Sequence, residues 1–306
     1  MAEKSKIERP RIACEITPSR LIAARATAAQ DGLELYTSRR SPANAVRPSV
    51  LGANVEDMPA LTSELQAALE AISGKHRDVA LVVPDSAVRV SIFDFDHLAA
   101  DAEEARAVVR LRFRRNVPFE VDDAAVSFQR LPSKGSEVRV LAVAMPKAVR
   151  DGYEGAVRQA GYLPGFVVPT TLAALGAFDT TTPCMVVRHV PAVSESGAHS
   201  TMIVIASGDD ILLYRSIEGN GLVAPENVLD EVYPSLVFYE DNYGSRLSAI
   251  YLDGVTMSES LLRSFVEQTG TSIRPFPLAT MGQNLSPSGE TLSAGALTAL
   301  AGVLIA

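Results

Sequence analysis

The chain has 306 residues, of which 47% are hydrophobic and 21% are charged, and its formal net charge is −8 at pH 7. This composition excludes an intrinsically disordered chain and suffices for one two-lobed domain or two ordinary domains. The acidic balance disfavours a protein whose main work is neutralising nucleic-acid phosphates. The polar start, MAEKSKIERPR, lacks the apolar core of a signal peptide, and no run of about 20 apolar residues predicts a transmembrane helix.

Cysteine and histidine usage gives no sign of a metal site. Cys14 and Cys184 each lie in an apolar run, which favours buried, reduced thiols in a cytoplasmic protein, with a disulfide between them as the alternative. The four histidines are scattered and lack metal-ligand spacing. No nucleophile lies beside a base, so we expect neither a metal nor a catalytic residue.

The first 180 residues predict an α/β core with a smaller unit in its middle. The core is expected to contain strands at 11–16, 20–24, 32–39, 79–83 and 166–168 and helices at 57–72, 147–160 and 170–178. The middle unit is a predicted βαββ arrangement, with a strand at 88–95, a helix at 102–115 and strands at 124–131 and 138–144.

A second lobe is expected to begin near Pro183, after the polar segment 179–182. Its predicted strands are 185–190, 202–206, 211–216 and 249–252, and its predicted helices are 225–243, 258–269 and the apolar tail 292–306. Proline lacks the N–H that a helix interior needs, so we expect Pro234 to kink or restart the helix that contains it.

Arginines recur every fourth residue along the helix at 102–115. Arg106, Arg110 and Arg114 therefore share one helix face. The favoured interpretation is a solvated face that Glu103 and Glu104 partly neutralise. The functional hypothesis is a docking site for an acidic partner or an anionic membrane surface.

The segments ACEITPSRLIAARA, VALVVPDSAVRVSIFDF and DEVYPSLVFYEDNY, in this order along the chain, resemble PilM-like proteins of type IV pilus assembly, which have an actin-like ATPase fold. The segment ACEITPSRLIAARA at 13–26 is similar to the family's opening strand–turn–strand, GIDIGSSSVKVVEL. The segment VALVVPDSAVRVSIFDF at 79–95 resembles the entry to the family's inserted subdomain, and residues 105–131 resemble its helix, turn and following strand. DEVYPSLVFYEDNY at 230–243 is similar to a helix of the family's second lobe.

The resemblance implies an α/β protein with the two-lobed actin-like ATPase (ribonuclease H-like) fold. Residues 10–84 and 150–180 would form the core of the first lobe, with a small βαββ subdomain inserted at 85–149. Residues 183–306 would form the second lobe. Its upper subdomain is expected to be reduced, because residues 216–221 run almost directly into the helix at Pro225.

The resemblance also assigns nucleotide-binding positions. They are Glu15, Thr17, Ser19, Ser207, Gly208, Asp209 and Gly254. Several depart from the family: Glu15 replaces an aspartate, Thr17 replaces a glycine, and Ala206 replaces an aspartate associated with the metal. Pro18 also removes an N–H that phosphate would need. ATP with Mg²⁺ is the cofactor of the family, but these departures predict a protein without cofactor or enzymatic activity.

The function that the resemblance implies is a non-catalytic cytoplasmic scaffold, held at the inner membrane through its partners. It would bind the cytoplasmic N-terminal tail of a single-span membrane protein resembling PilN. Pilus motor ATPases and a homo-oligomeric ring are further expected partners, and nucleic acid is not. The candidate partner-binding residues are Arg106, Arg110, Arg114, Val90 and Ile92. The alternatives are a working actin-like ATPase or kinase and a GspL-like cytoplasmic module of type II secretion.

Overall fold

The computed structural model describes residues 9–133, 135–192, 194–195, 197–277, 282–289 and 292–305. The strands are β1 (Ile12–Ile16), β2 (Arg20–Ala26), β3 (Leu33–Arg40), β4 (Asp78–Val83), β5 (Arg89–Phe95), β6 (Ala125–Arg130), β7 (Val138–Met145), β8 (Leu163–Pro169), β9 (Cys184–Val190), β10 (Ala198–Ser207), β11 (Asp210–Asn220), β12 (Ile250–Asp253), β13 (Ile273–Pro275) and β14 (Gln283–Asn284). The α-helices are α1 (Met58–Ser73), α2 (Ala102–Phe113), α3 (Lys147–Gln159), α4 (Thr170–Leu175), α5 (Pro225–Tyr243), α6 (Glu259–Thr269) and α7 (Ala294–Leu304).

Residue contacts divide the chain into two compact units. The first unit holds the described residues of Met1–Val88, Met145–Phe178 and Pro277–Ala306. The second unit holds those of Arg89–Ala144 and Asp179–Phe276. None of the described helices is both long and apolar enough to cross a membrane.

The first unit is built on a six-stranded sheet in the order β14-β3-β2-β1-β4-β8. Its central strand β1 is buried along its whole length, runs antiparallel to β2 and runs parallel to β4. A strand buried on both faces needs a continuous apolar run, and IACEI supplies one except at Glu15. Helices α1 and α7 pack on this sheet, α1 with α3 beside it and α7 with α4 beside it.

The tail helix α7 corrects one expectation from the sequence. The sequence placed it in the second lobe, but it packs against β1, β2, β4 and α4 of the first unit. Two glycines bring α4 and α7 together: a Cβ at Gly302 would lie 2.1 Å from the Ala173 carbonyl oxygen, and a Cβ at Gly176 would lie 2.2 Å from the Gly302 carbonyl oxygen. Hydrophobic periodicity reveals that such a helix is buried but does not reveal which sheet buries it.

The larger sheet of the second unit repeats the strand order and directions of the first. Its order is β11-β10-β9-β12-β13, and β9 runs antiparallel to β10 and parallel to β12, as β1 does to β2 and β4. Helices α5 and α6 contribute side chains to its core. Only residues 221–224 separate β11 from α5. This agrees with the prediction that the chain leads almost directly into the helix at Pro225.

Helix α5 does not restart at Pro234. It continues through this residue as one helix, so of the two predicted outcomes only a kink is compatible with it. Proline deprives the carbonyl of Asp230 of its usual N–H partner. Both residues lie on the exposed side of the helix, while Val232, Leu236 and Tyr239 hold the helix in the core.

The second unit also contains the βαββ arrangement that the sequence predicted. Strands β5, β7 and β6 form a three-stranded sheet in that order, with β5 antiparallel to β7. Helix α2 covers it through Ala105, Val109 and Phe113. The Asp101 side chain begins this helix by accepting hydrogen bonds from the N–H groups of Glu103 and Glu104.

Candidate functional site

The β1–β2 hairpin carries the first predicted phosphate site, and the hydrogen-bond donors of Thr17 and Arg20 are used within its turn. The N–H of Thr17 donates to the Arg20 carbonyl at 2.9 Å. The Thr17 hydroxyl donates to the same carbonyl at 2.8 Å and accepts from the N–H of Arg20 at 3.0 Å. Pro18 has no N–H, and the carbonyl of Ser19 accepts from Ser41. A phosphate cradle needs several backbone N–H groups that point outward. In this turn the N–H groups of Thr17 and Arg20 are already hydrogen-bonded, and Pro18 has none.

Glu15 lies beneath that hairpin and is 1% exposed. The Thr170 hydroxyl, at the start of α4, lies 3.1 Å from Glu15 Oε1 and 3.0 Å from the Val83 carbonyl oxygen. Asp85 accepts hydrogen bonds from both the N–H and the hydroxyl of Thr171, at 3.0 and 2.8 Å. The structure thus sets two buried carboxylates beside two threonines. The sequence analysis missed these threonines, although Pro-Thr-Thr before an apolar run is typical of a helix start.

The Ser207–Asp209 segment, the second predicted phosphate site, turns the chain between β10 and β11. Gly208 has a φ of +57°, its N–H donates to the Thr180 carbonyl at 2.5 Å, and its carbonyl accepts from the Thr180 hydroxyl at 2.9 Å. Ser207 and Asp210 face each other across the turn. The backbone N–H of Gly208, which was predicted to bind phosphate, is therefore hydrogen-bonded to Thr180.

Strand order shows that the predicted hairpin at Ser207–Asp209 is not the one that corresponds to the β1–β2 hairpin. The strand that corresponds to β1 is β9, since each is antiparallel to the next strand and parallel to a later one. The counterpart of the β1–β2 hairpin is accordingly β9–β10, and Ser207, Gly208 and Asp209 lie one hairpin further along. The apolar run at Cys184–Val190 was the available signal, because it precedes a second apolar run as β1 precedes β2.

Gly254 directly follows β12 and has a φ of +83°. A Cβ at this position would lie 1.7 Å from the carbonyl oxygen of His189. Both the backbone conformation and the close approach to β9 require glycine here. These contacts give Gly254 a structural role that is independent of any nucleotide.

His189 is part of a small polar cluster within the second unit. Its Nδ1 lies 3.0 Å from the Thr201 hydroxyl, and its ring centroid lies 6.0 Å from that of His199. Burial lowers the pKa of His189, the charge of His199 lowers it further, and Glu231 opposes the shift. Among the described residues, no three His, Cys, Asp or Glu side chains are grouped so as to hold a metal ion.

Each arginine of the predicted stripe has a partner within the second unit. Arg106 pairs with Glu103, and Arg114 Nη2 lies 2.5 Å from Asp122 Oδ1. The hydrogen bond to Asp122 raises the pKa of Arg114. Arg110 donates to the Ala124 carbonyl at 3.2 Å. Two of the three arginines thus tie α2 to the segment that leads into β6.

Val90 and Ile92, in contrast, line an open groove of about 390 Å³. We call it the β5 groove; its lining residues are Val90, Ser91, Ile92, Phe93, Arg112, Arg115, Asn116 and Tyr214. Strand β5, the C-terminal end of α2 and strand β11 supply these residues. The structure therefore joins the two predicted apolar residues with Arg112 and Arg115, and not with the predicted stripe.

The two sheets of matching strand order, with the βαββ unit between β4 and α3 in the chain, define the actin-like ATPase fold. The structure is similar to PilM in the PilM-PilN type IV pilus biogenesis complex, with 19% identity, a TM-score of 0.69 and coverage of 96% of this chain and 99% of that chain. It is also similar to the cytoplasmic domain of EpsL, an inner-membrane component of the type II secretion system of Vibrio cholerae, with 10% identity, a TM-score of 0.50 and coverage of 87% and 90%. No protein-family profile and no curated protein matches the sequence. At these identities the likenesses establish the fold.

Proposed function

We propose that this protein is a non-catalytic scaffold of a type IV pilus or related secretion platform at the inner membrane. Its proposed partner is the cytoplasmic tail of a single-span membrane protein resembling PilN. The observation that carries the proposal is the fold likeness to PilM of a PilM-PilN complex, which extends over 96% of this chain. The likeness to a cytoplasmic domain of an inner-membrane secretion component supports a cytoplasmic position next to the membrane.

The contacts of the predicted nucleotide positions support a scaffold without ATP hydrolysis. Thr17 and Arg20 are bonded to each other within their turn, and Gly208 is bonded to Thr180. Phosphate would have to displace these hydrogen bonds, and each lost bond would reduce the binding free energy by about 1 kcal/mol. ATP with Mg²⁺ is therefore not proposed as a cofactor.

The partner tail is proposed to bind in the second unit, at the surface that contains Val90 and Ile92. These residues lie on β5, the end strand of its sheet, where an extended peptide can add main-chain hydrogen bonds. Because Arg106, Arg110 and Arg114 have internal partners, their role in binding stays a prediction. Pilus motor ATPases and a homo-oligomeric ring also stay predictions.

Two measurements on the full chain test this proposal. The cytoplasmic tail of a single-span membrane protein resembling PilN, fused to a carrier, should retain the protein on a column, and a scrambled tail should not. In a parallel thermal-shift titration, Mg-ATP should leave the melting temperature unchanged, because a ligand stabilises only a protein that binds it. No retention of the protein would overturn the partner claim, and a saturable rise in melting temperature would favour the ATPase alternative.

A further inference from the structure

Helix α2 has a second charged face that the sequence analysis did not single out. Val108, Leu111 and Arg112 follow the i, i+3, i+4 spacing of one helix face, and Arg115 lies in the turn directly after the helix. Val108 is 40% exposed and Leu111 is 61% exposed. This face presents apolar and cationic groups to solvent, whereas the Arg106–Arg110–Arg114 face is engaged with its own unit.

The two arginines at the end of this face have no acidic partner. Within the described residues, no carboxylate forms an ion pair with Arg112 or Arg115, and both side chains are exposed. Arg112 lies over the Phe93 ring, with its guanidinium carbon 5.9 Å from the ring centroid. Aromatic contact orients a guanidinium and leaves its N–H donors available to a carboxylate. In the described part of the chain, the β5 groove therefore has two cations without a counter-charge, in a protein that is acidic as a whole.

The groove follows the edge of a strand. Side chains of a strand alternate between its two faces, so a groove that touches Val90, Ser91, Ile92 and Phe93 in succession must run along the edge. Strand β5 ends its sheet, and its only hydrogen-bonded strand partner among the described residues is β7. Strand β11 approaches β5 without pairing with it, and Arg89 of β5 forms an ion pair with Glu218 of β11. An unpaired edge offers a row of N–H and carbonyl groups to an incoming chain.

We propose that the β5 groove binds an extended segment of a partner protein in which apolar and acidic residues alternate. The segment adds as a strand to the edge of β5, its apolar side chains contact Val90 and Ile92, and its carboxylates bind Arg112 and Arg115. This inference deepens the proposed function and rests on it, since it defines the chemistry that a partner must present to this scaffold.

A peptide display selection on the full-length protein tests this chemistry and does not require the partner to be identified first. Random short peptides are selected on the wild-type chain and, separately, on the double variant Arg112→Glu, Arg115→Glu. Peptides enriched on the wild type should be acidic with apolar residues at alternate positions. Enrichment without an acidic bias, or the same peptides on both proteins, would overturn the proposal.

Fluorescence anisotropy then measures the affinity of one selected peptide. The double variant should bind it at least about tenfold more weakly, because two charge-assisted hydrogen bonds become repulsions. The matched control, Arg40→Glu with Arg263→Glu, reverses two exposed arginines elsewhere and should bind as the wild type does. N-methylation of alternate peptide amides should also weaken binding by about tenfold or more, since it removes the main-chain hydrogen bonds of strand addition. Loss of affinity in the control variant would show that the β5 groove is not the binding site. Full affinity of the N-methylated peptide would show that the peptide does not bind as an added strand.

Two further arms distinguish other occupants. Binding of the wild type, but not of the double variant, to vesicles that contain anionic phospholipid would assign the arginines to a membrane surface and overturn the peptide assignment. Charge-dependent self-association in sedimentation would assign them to a second copy of this chain. If the column with the PilN-like tail retains the protein while the peptide arm fails, the scaffold proposal stands and only the acidic-segment inference falls.

Discussion

The carbonyl oxygen of His189 occupies the space that a side chain at Gly254 would need: the two would be 1.7 Å apart. Gly254 combines this contact with a φ of +83°, a conformation that residues with a Cβ rarely adopt. The pair fixes the end of β12 against β9 at the centre of the larger sheet of the second unit. A side chain at this position would be disfavoured both by the clash with His189 and by the positive φ. An experiment can separate the contributions of these two effects to stability.

We predict that Gly254→Ala lowers the free energy of unfolding by more than about 3 kcal/mol, because strain from the positive φ adds to a backbone clash. Gly208→Ala is the matched control, since Gly208 has a φ of +57° and a Cβ added there would meet nothing within 4 Å. That variant should lose only about 1 kcal/mol. Urea unfolding of both variants measures the difference, and equal losses would show that the His189 contact is not limiting.

Thr171 stabilises the buried carboxylate of Asp85 through both its N–H and its hydroxyl. Thr171→Val preserves the shape and removes the hydroxyl, so we expect a loss of about 2 kcal/mol in the free energy of unfolding. Thr181 makes a similar bond to Asp179 at 2.6 Å, but on the surface. Thr181→Val should therefore lose less than about 0.5 kcal/mol. Similar losses in the two variants would contradict the role given to burial.

His189 should make stability depend on pH on the acidic side of neutrality. Its pKa lies below the ordinary 6.5, so the unfolded chain takes up the proton first as the pH falls. The free energy of unfolding therefore decreases as the pH falls through about 6.5 toward the lowered pKa, and it is regained as the pH rises. His189→Gln should reduce this slope in chemical unfolding measured between about pH 7.5 and pH 5. The exposed His97→Gln should keep the slope, and an unchanged slope in His189→Gln would exclude His189 as its source.

The two cysteines should be unreactive in the native protein. Both are free and buried, and burial raises the pKa of Cys14 to about 12 and that of Cys184 to about 11. The thiolate is the reactive form, so an aromatic disulfide reagent at mildly alkaline pH should label neither residue until denaturant is added. Rapid labelling of Cys14→Ser without denaturant would show that Cys184 is accessible in the native state.

Local patterns in the sequence predicted most of the helices and strands. Asp57 and Asp101 begin α1 and α2 through side-chain hydrogen bonds, as N-cap residues do. The apolar run before Pro84 forms β4, which is fully buried after its first residue. The free state of both cysteines also agrees with the prediction of reduced thiols. These features depend on residues that are close together in the chain, so they can be predicted from a single sequence.

The candidate site was less predictable because its contacts join distant segments. The spacing of Arg106, Arg110 and Arg114 is regular, yet only tertiary structure reveals that Asp122 and the Ala124 carbonyl already engage two of them. Arg112 and Arg115 carry the same charge and differ in having no such partner among the described residues. The sequence resemblance selected the hairpin at Ser207–Asp209 for a similar reason. Strand pairing across the sheet, and not local similarity, identifies β9 as the counterpart of β1.

The position of α7 has a consequence for the order of events during synthesis. The first unit is assembled from three separate stretches of chain, and the helix that covers β1, β2 and β4 is translated after the entire second unit. Once the residues up to Phe276 have emerged from the ribosome, the second unit can fold, while the sheet of the first unit still lacks the helix that covers β1, β2 and β4. A chaperone would engage the nascent chain during this interval. Deletion of residues 292–305 would remove α7 and leave that side of the sheet uncovered in the finished protein.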